Sequence, residues 1–138
     1  MRLIQPRHPH RPDAQHPRII EDLIDIAEAG HQEALDSVVL MLKDLAEFGR
    51  ESRYANTLHG IPIWELKTRS RGGSKGGARV YWFPLTIRRK NIDPEMVAVV
   101  VNAEIKPGST PNPRNLEEAL EIYFAFQENP LEMLRRSS

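Results

Sequence analysis

The chain contains no cysteine among its 138 residues, which excludes disulfide scaffolds and cysteine-ligated zinc sites. It has no apolar run long enough to cross a bilayer, and its first residues, MRLIQPRHPHRP, lack the apolar segment of a signal peptide. We therefore expect a cytoplasmic protein without a membrane partner. The length fits one domain, and the 40% hydrophobic and 28% charged residues are typical of a globular protein.

The chain also lacks net charge, but its charges are segregated. Residues 19–51 hold nine acids and two bases, whereas residues 61–90 hold eight bases and one acid, so the two blocks sum to minus seven and plus seven. A basic block of this kind is a candidate footprint for a polyanion such as RNA. The alternative is a solvated sheet face whose charges only aid solubility.

The first seventeen residues are rich in proline, and Arg and His lie between their four prolines. This composition buries no apolar face, so the sequence predicts a flexible arm over 1–17, a single domain over 18–130 and a tail over 131–138. His8 and His10 form an H-x-H pair without a third ligand, so no metal is expected there.

Apolar spacing predicts the elements of this domain. Residues 18–29 and 32–48 repeat their apolar positions every three to four residues, as helices do, and Gly49 is a natural helix end. Three later segments, 61–69, 78–87 and 96–105, indicate strands, and 112–126 returns to helical spacing. The order predicts an α+β fold with two N-terminal helices, a small twisted antiparallel sheet of three or four strands and a C-terminal helix.

The glycine-rich stretch SRGGSKGG (70–77) suggests a phosphate-binding loop at first sight. A P-loop requires a glycine followed by Lys and Ser or Thr, with a helix next, but here a strand follows. The stretch is therefore interpreted as a mobile loop between two strands, and no nucleotide cofactor is expected. Its cations Arg71 and Lys75 remain candidates for contact with an RNA backbone.

Several cations flank the predicted sheet. Lys67 and Arg69 share one strand face, Arg79 begins the next strand, and Lys106 follows the third. Such a cluster can stabilise the charge of a phosphodiester transition state without metal, and the RNA 2′-hydroxyl supplies the nucleophile. The nearby candidates for proton transfer are His59, Glu65 and Tyr81. Alternatively, Glu65 only pairs with a neighbouring cation across the sheet, Arg79 is a structural strand cation, His59 is a turn residue, and Tyr81 belongs to the core.

The segments IPIWELKTR, ARVYWF and VAVVVNAEIKPGSTPNPRNLEEAL resemble, in order and spacing, the RelE/HigB-like toxins of toxin–antitoxin systems, in their phage-derived branch. The resemblance covers roughly residues 32–127. It implies a metal-independent endoribonuclease that cuts mRNA on the ribosome and is neutralised by an antitoxin, often a helix-turn-helix protein. It also implies that Arg79 contacts the scissile phosphate, with Lys67 and Lys106 assisting.

Other basic residues are assigned to RNA binding, and two departures from the family are visible. The RNA-binding candidates are Arg69, Arg71, Lys75, Arg88, Arg89 and Lys90. The link before Arg79 is longer than usual, and residues 88–95 predict a longer hairpin loop. The alternative function is a non-catalytic binding protein on the same scaffold, such as a gyrase-directed inhibitor, a decayed toxin or a phage interaction module.

Overall fold

A computed structural model describes residues 1–8, 10–11, 13–68, 77–105 and 111–137 of the chain. Five strands and four helices follow one another in the described residues, with a short 3₁₀ turn after the second helix. They are β1 (Arg2–Ile4), α1 (Arg18–Glu28), α2 (Gln32–Phe48), β2 (Ala55–Thr57), β3 (Trp64–Lys67), β4 (Ala78–Arg89), β5 (Ile92–Ile105), α3 (Pro113–Glu128) and α4 (Pro130–Arg136).

The strands form one mixed sheet in the order β1-β5-β4-β3-β2. β5, β4, β3 and β2 pair antiparallel, whereas β1 pairs parallel with β5. The α+β class is confirmed, as is the order of two N-terminal helices, sheet and C-terminal helix. The predicted count of three or four antiparallel strands is wrong, because the three-residue strands β1 and β2 are too short to show an apolar alternation.

Helices cover both faces of the sheet and create two cores. On one face, α1 and α2 contribute Ile19, Val38 and Met41, which pack with the strand residues Val80 and Trp82. The other face carries α3 and α4, and its core is drawn from a second set of side chains, Phe83, Val99, Ile122, Phe126 and Met133. Because residues 97–101 of β5 are buried on both faces, this part of the strand is a continuous apolar run rather than an alternation.

The β4–β5 hairpin corrects the prediction of a longer loop over 88–95. Arg89 pairs with Ile92, so only Lys90 and Asn91 form the turn, and Asn91 takes the positive φ of 63° that Asn tolerates. The sequence does not predict this extension of β5, because the exposed charged residues and Pro94 in it give no apolar signal. Pro84 fits within β4 because β3 ends its pairing at Trp82, so no neighbouring strand needs the missing N–H.

The N-terminal segment contains more structure than the predicted flexible arm. Besides β1, its ammonium group donates to the Ala46 carbonyl at 2.6 Å, and the imidazoles of His8 and His10 lie against the carboxylates of Glu118 and Glu121 of α3. At the other terminus, α4 occupies most of the predicted tail. These terminal contacts are long-range, so local composition does not reveal them.

Helix α1 covers the part of β5 that β1 leaves open. β1 pairs only with residues 97–99, and beyond them the Ala103 N–H donates to the Asp22 carboxylate at 2.9 Å. A side chain thus replaces a strand at this edge, which removes a site for unwanted strand pairing. Among the described residues, no helix has both the length and the apolar character that a bilayer crossing requires.

Candidate functional site

Three adjacent strands bring several of the predicted site residues side by side. In the strand register, Lys67 lies opposite Arg79, which lies opposite Glu104 on the other side. Two residues further along the strands, the next row on the same face of the sheet is Glu65, Tyr81 and Asn102. Both rows lie at the end of the sheet where β3 ends and β4 begins. We call this end of the sheet the loop end.

Arg79 is held inside the protein by two carboxylates. Its Nε lies 2.8 Å from Oε2 of Glu65, and its Nη1 lies 3.7 Å from Oε1 of Glu104. The side chain of Arg79 is 1% exposed and that of Glu65 is 6% exposed. The predicted phosphate contact is therefore covered and neutralised in this arrangement. A phosphate can approach the guanidinium only if one of the carboxylates moves.

Lys67 is the accessible cation of this group. Its Nζ lies 3.7 Å from Oε1 of Glu65, and 39% of the side chain is exposed. The two bases and two acids of this group thus balance in charge, and Lys67 lies at the exposed rim of the group. Glu65 contacts both cations and so links Lys67 to Arg79.

Tyr81 lies beneath this group and is fully buried. Burial, first, and the neighbouring Glu104 carboxylate, second, raise the pKa of the Tyr81 hydroxyl well above its ordinary value of 10.0. The phenol therefore keeps its proton at neutral pH. It suits hydrogen-bond donation and not the abstraction of a proton.

Two segments that contain predicted basic site residues adjoin described residues at the loop end. Residues 69–76, with the candidates Arg69, Arg71 and Lys75, lie outside the described residues, as does Lys106. The chain on either side is described: the Thr68 N–H donates to the Ala78 carbonyl at 3.2 Å, and Ala78 pairs with Ile105. Both segments therefore connect to strands at the loop end.

The remaining candidates lie elsewhere. Arg88, Arg89 and Lys90 are exposed at the β4–β5 turn, and ten residues of extended strand from Arg79 to Arg89 span roughly 33 Å. His59 is exposed in the β2–β3 connection, beyond the opposite end of β3 from Lys67. The structure therefore does not combine these side chains with Arg79 into one site.

Sequence reasoning missed Glu104 and Asn102, which complete the two rows. Asn102 donates from Nδ2 to Glu118 of α3 at 2.9 Å and to the Asn115 carbonyl at 3.0 Å. Both residues interrupt an otherwise apolar strand, and that interruption is the signal that could have identified them. A polar residue within a buried strand requires a buried partner.

A cavity of about 720 Å³ adjoins the site between α1, the end of β5 and the start of α3. Its polar lining includes Asp25, His31, Glu104 and Arg114, and its walls are mainly apolar. Glu104 belongs to both the cavity and the Arg79 group. A ligand in this cavity therefore meets Glu104 before it can meet Arg79.

Within the part of the chain that the structure describes, no group of three or more His, Cys, Asp and Glu side chains is placed to hold a metal ion. No family model, no curated protein and no solved structure matches this chain. The candidate site is thus characterised by its own geometry.

Proposed function

We propose that the chain is the toxin of a toxin–antitoxin pair, a metal-independent endoribonuclease that cuts mRNA on the ribosome in the cytoplasm. The observation that carries the proposal is the convergence of β3, β4 and β5 at the loop end. There Lys67 and Arg79 are cross-strand neighbours, and the two segments that contain Arg69, Arg71, Lys75 and Lys106 join the same strand ends.

The chemistry needs no cofactor. The RNA 2′-oxygen forms a bond to phosphorus while the bond to the 5′-oxygen breaks, which yields a 2′,3′-cyclic phosphate and a 5′-hydroxyl. The proton of the 2′-hydroxyl is removed, and a proton reaches the leaving oxygen. Cations at the loop end stabilise the charge on the phosphoryl oxygens. In this proposal Lys67 meets the phosphate directly, and Arg79 does so once Glu104 has moved.

Expression in cells that lack the antitoxin tests the proposal. Wild type should stop growth, and primer extension on translated mRNA should detect new 5′ ends in codon register. Lys67→Ala should reduce cleavage by about 100-fold, the usual effect of removing one group that stabilises the transition state. Lys43→Ala is the matched control, because this exposed lysine of α2 is not among the predicted RNA-binding residues. Unchanged translation in cells expressing wild type would reject the proposal.

The burial of Arg79 favours a second candidate, a non-catalytic binding protein on the same scaffold. An arginine that is 1% exposed and paired with two acids is built to hold strands together. This candidate includes a gyrase-directed inhibitor, a decayed toxin and a phage interaction module. It predicts either no growth effect or growth arrest with intact mRNA, so the same primer extension separates the two functions.

The partners follow from the first candidate. Ribosome-bound mRNA is the substrate, and an antitoxin, of helix-turn-helix type in the resembled family, is the inhibitor. Co-expression with the product of a neighbouring gene that encodes such a protein should restore growth. Growth that stays arrested with every neighbouring gene would exclude an antitoxin encoded beside this chain.

A further inference from the structure

We propose that a second anion site, separate from the loop end, binds one nucleoside monophosphate unit in a pocket formed by β1, the end of β4 and α4. The pocket has a volume of about 380 Å³ and opens between two chain termini that the sequence predicts to be an arm and a tail. Six of its lining residues are Arg2, Arg89 and Arg135 with Ile4, Leu131 and Leu134.

The charged side of the pocket consists of arginines from three elements. Arg2 pairs with Glu95 at 2.9 Å, and Arg135 pairs with Glu132 at 2.6 Å. All four of these side chains are at least 32% exposed, and such surface pairs contribute only about 0–1 kcal/mol. An arriving phosphate can therefore exchange with the carboxylates at little cost. Arg89 forms no ion pair with any of the described residues and is directly available.

The apolar side of the pocket indicates that the ligand is more than a bare oxyanion. Leu131 is 56% exposed, and Leu134 and the largely buried Ile4 line the same pocket. A planar guanidinium matches a phosphate, while apolar side chains such as Leu131 match a base or ribose. The volume lies at the lower end of the range for small-molecule sites, which suits a single nucleotide.

Titration calorimetry with the full chain tests the ligand class. The probes are 5′-AMP, inorganic phosphate and adenosine. We expect 5′-AMP to bind on the order of tenfold more tightly than either fragment, because only 5′-AMP engages both sides of the pocket. Phosphate that binds as tightly as 5′-AMP would overturn the nucleotide assignment, and no binding of 5′-AMP would overturn the site.

A pair of adjacent arginines tests the location. Arg89→Ala should weaken 5′-AMP binding by about tenfold, as expected for a lost charge-assisted contact. Arg88→Ala removes the same charge one residue away, outside the pocket lining, and should change the affinity by less than about twofold. Equal losses of 5′-AMP affinity in the two variants would show that only the overall positive charge matters, and would refute binding in this pocket. Leu131→Ser should weaken 5′-AMP but not inorganic phosphate, and an unchanged 5′-AMP affinity would refute the apolar contact.

The source of the nucleotide is distinguished by a second arm with a fluorescently labelled five-nucleotide RNA. If this RNA binds with the same dependence on Arg89, the site holds a unit of an RNA chain. If only 5′-AMP binds, the site holds a free nucleotide. Neither measurement depends on RNA cleavage. Failure of this inference can therefore be distinguished from failure of the proposed function.

Discussion

At the scale of single residues, the main feature is the buried ion pair of Arg79. Two charged groups removed from water stabilise a fold only while both are present, because a lone buried charge is costly. Arg79 forms ion pairs with Glu65 at 2.8 Å and Glu104 at 3.7 Å, so its first role is structural cohesion of β3, β4 and β5. Loss of activity in an Arg79 variant is therefore ambiguous without a stability measurement.

Glu65→Ala should lower the free energy of unfolding by about 3 kcal/mol, because it removes the nearer of the two carboxylates that the buried guanidinium contacts. Urea unfolding at neutral pH measures this loss. Lys67→Ala is the control on the same strand face, and its more exposed pair should cost less than about 1 kcal/mol. Similar small losses in both variants would contradict the burial of the Arg79 pair.

The raised pKa of the Tyr81 hydroxyl predicts that the folded protein loses stability in alkali. The unfolded chain releases the phenolic proton near the ordinary pKa of 10.0, whereas the folded chain retains it because burial raises the pKa. Above that pH the unfolded state binds fewer protons, so the free energy of unfolding falls as pH rises. Tyr81→Phe should show a smaller decrease between about pH 8 and pH 11 in urea unfolding. An equal decrease in both proteins would contradict this assignment.

At the scale of elements, the helices owe their position to side chains at their ends and edges. Asp22 of α1 accepts from the Ala103 N–H, so α1 is joined to the edge of β5 by a hydrogen bond as well as by packing, and Arg18 of the same helix also donates to Asp22. Burial is the main cause that raises the pKa of Asp22, although its hydrogen bonds oppose it. Helix α2 instead depends on Gly49, whose φ of 58° favours glycine at the helix end.

Gly49→Ala should lower the free energy of unfolding by about 2 kcal/mol, the cost of a strained backbone plus a close contact. A Cβ at this position would lie 3.1 Å from the Met1 methyl carbon, so that side chain has to shift. Gly30→Ala is the matched control: its φ is 80°, but nothing lies within 4 Å of the added carbon. Thermal unfolding should show the larger loss for Gly49→Ala, and equal losses would exclude a role for the Met1 contact.

At the scale of the whole molecule, Glu118 connects parts that are distant in sequence. Its Oε1 lies 2.9 Å from Arg18 Nε of α1 and 2.9 Å from Asn102 Nδ2 of β5, and its Oε2 lies 3.6 Å from His8 Nε2. One carboxylate thus ties the N-terminal segment, the first helix, the central sheet and α3 together.

Glu118→Ala should cost about 2 kcal/mol of unfolding free energy, because it leaves partly buried donors on Arg18 and Asn102 without this acceptor. It should also accelerate trypsin cleavage after Arg7, since the His8 contact holds that segment on α3. Glu117→Ala is the matched control, as this neighbour is exposed. Unchanged cleavage in Glu118→Ala would show that the N-terminal segment is held by other contacts.

The sequence by itself determined the main elements. Periodic apolar spacing located α1, α2 and α3 to within two residues, and apolar content located β3, β4 and β5, because these signals arise from burial along a single element. It also located Lys67, Arg79, Glu65 and Tyr81 as a potential group, since alternation along a strand is local information.

Only the tertiary structure decided which of these side chains meet and which are accessible. Cross-strand register, which depends on pairing between distant segments, placed Glu104 beside Arg79 and buried the arginine. It also separated Arg88, Arg89 and Lys90 from the loop end by the length of β4. The short strand β1 and the pocket beside it arise from long-range contacts of the termini, for which the local sequence carries no periodic signal.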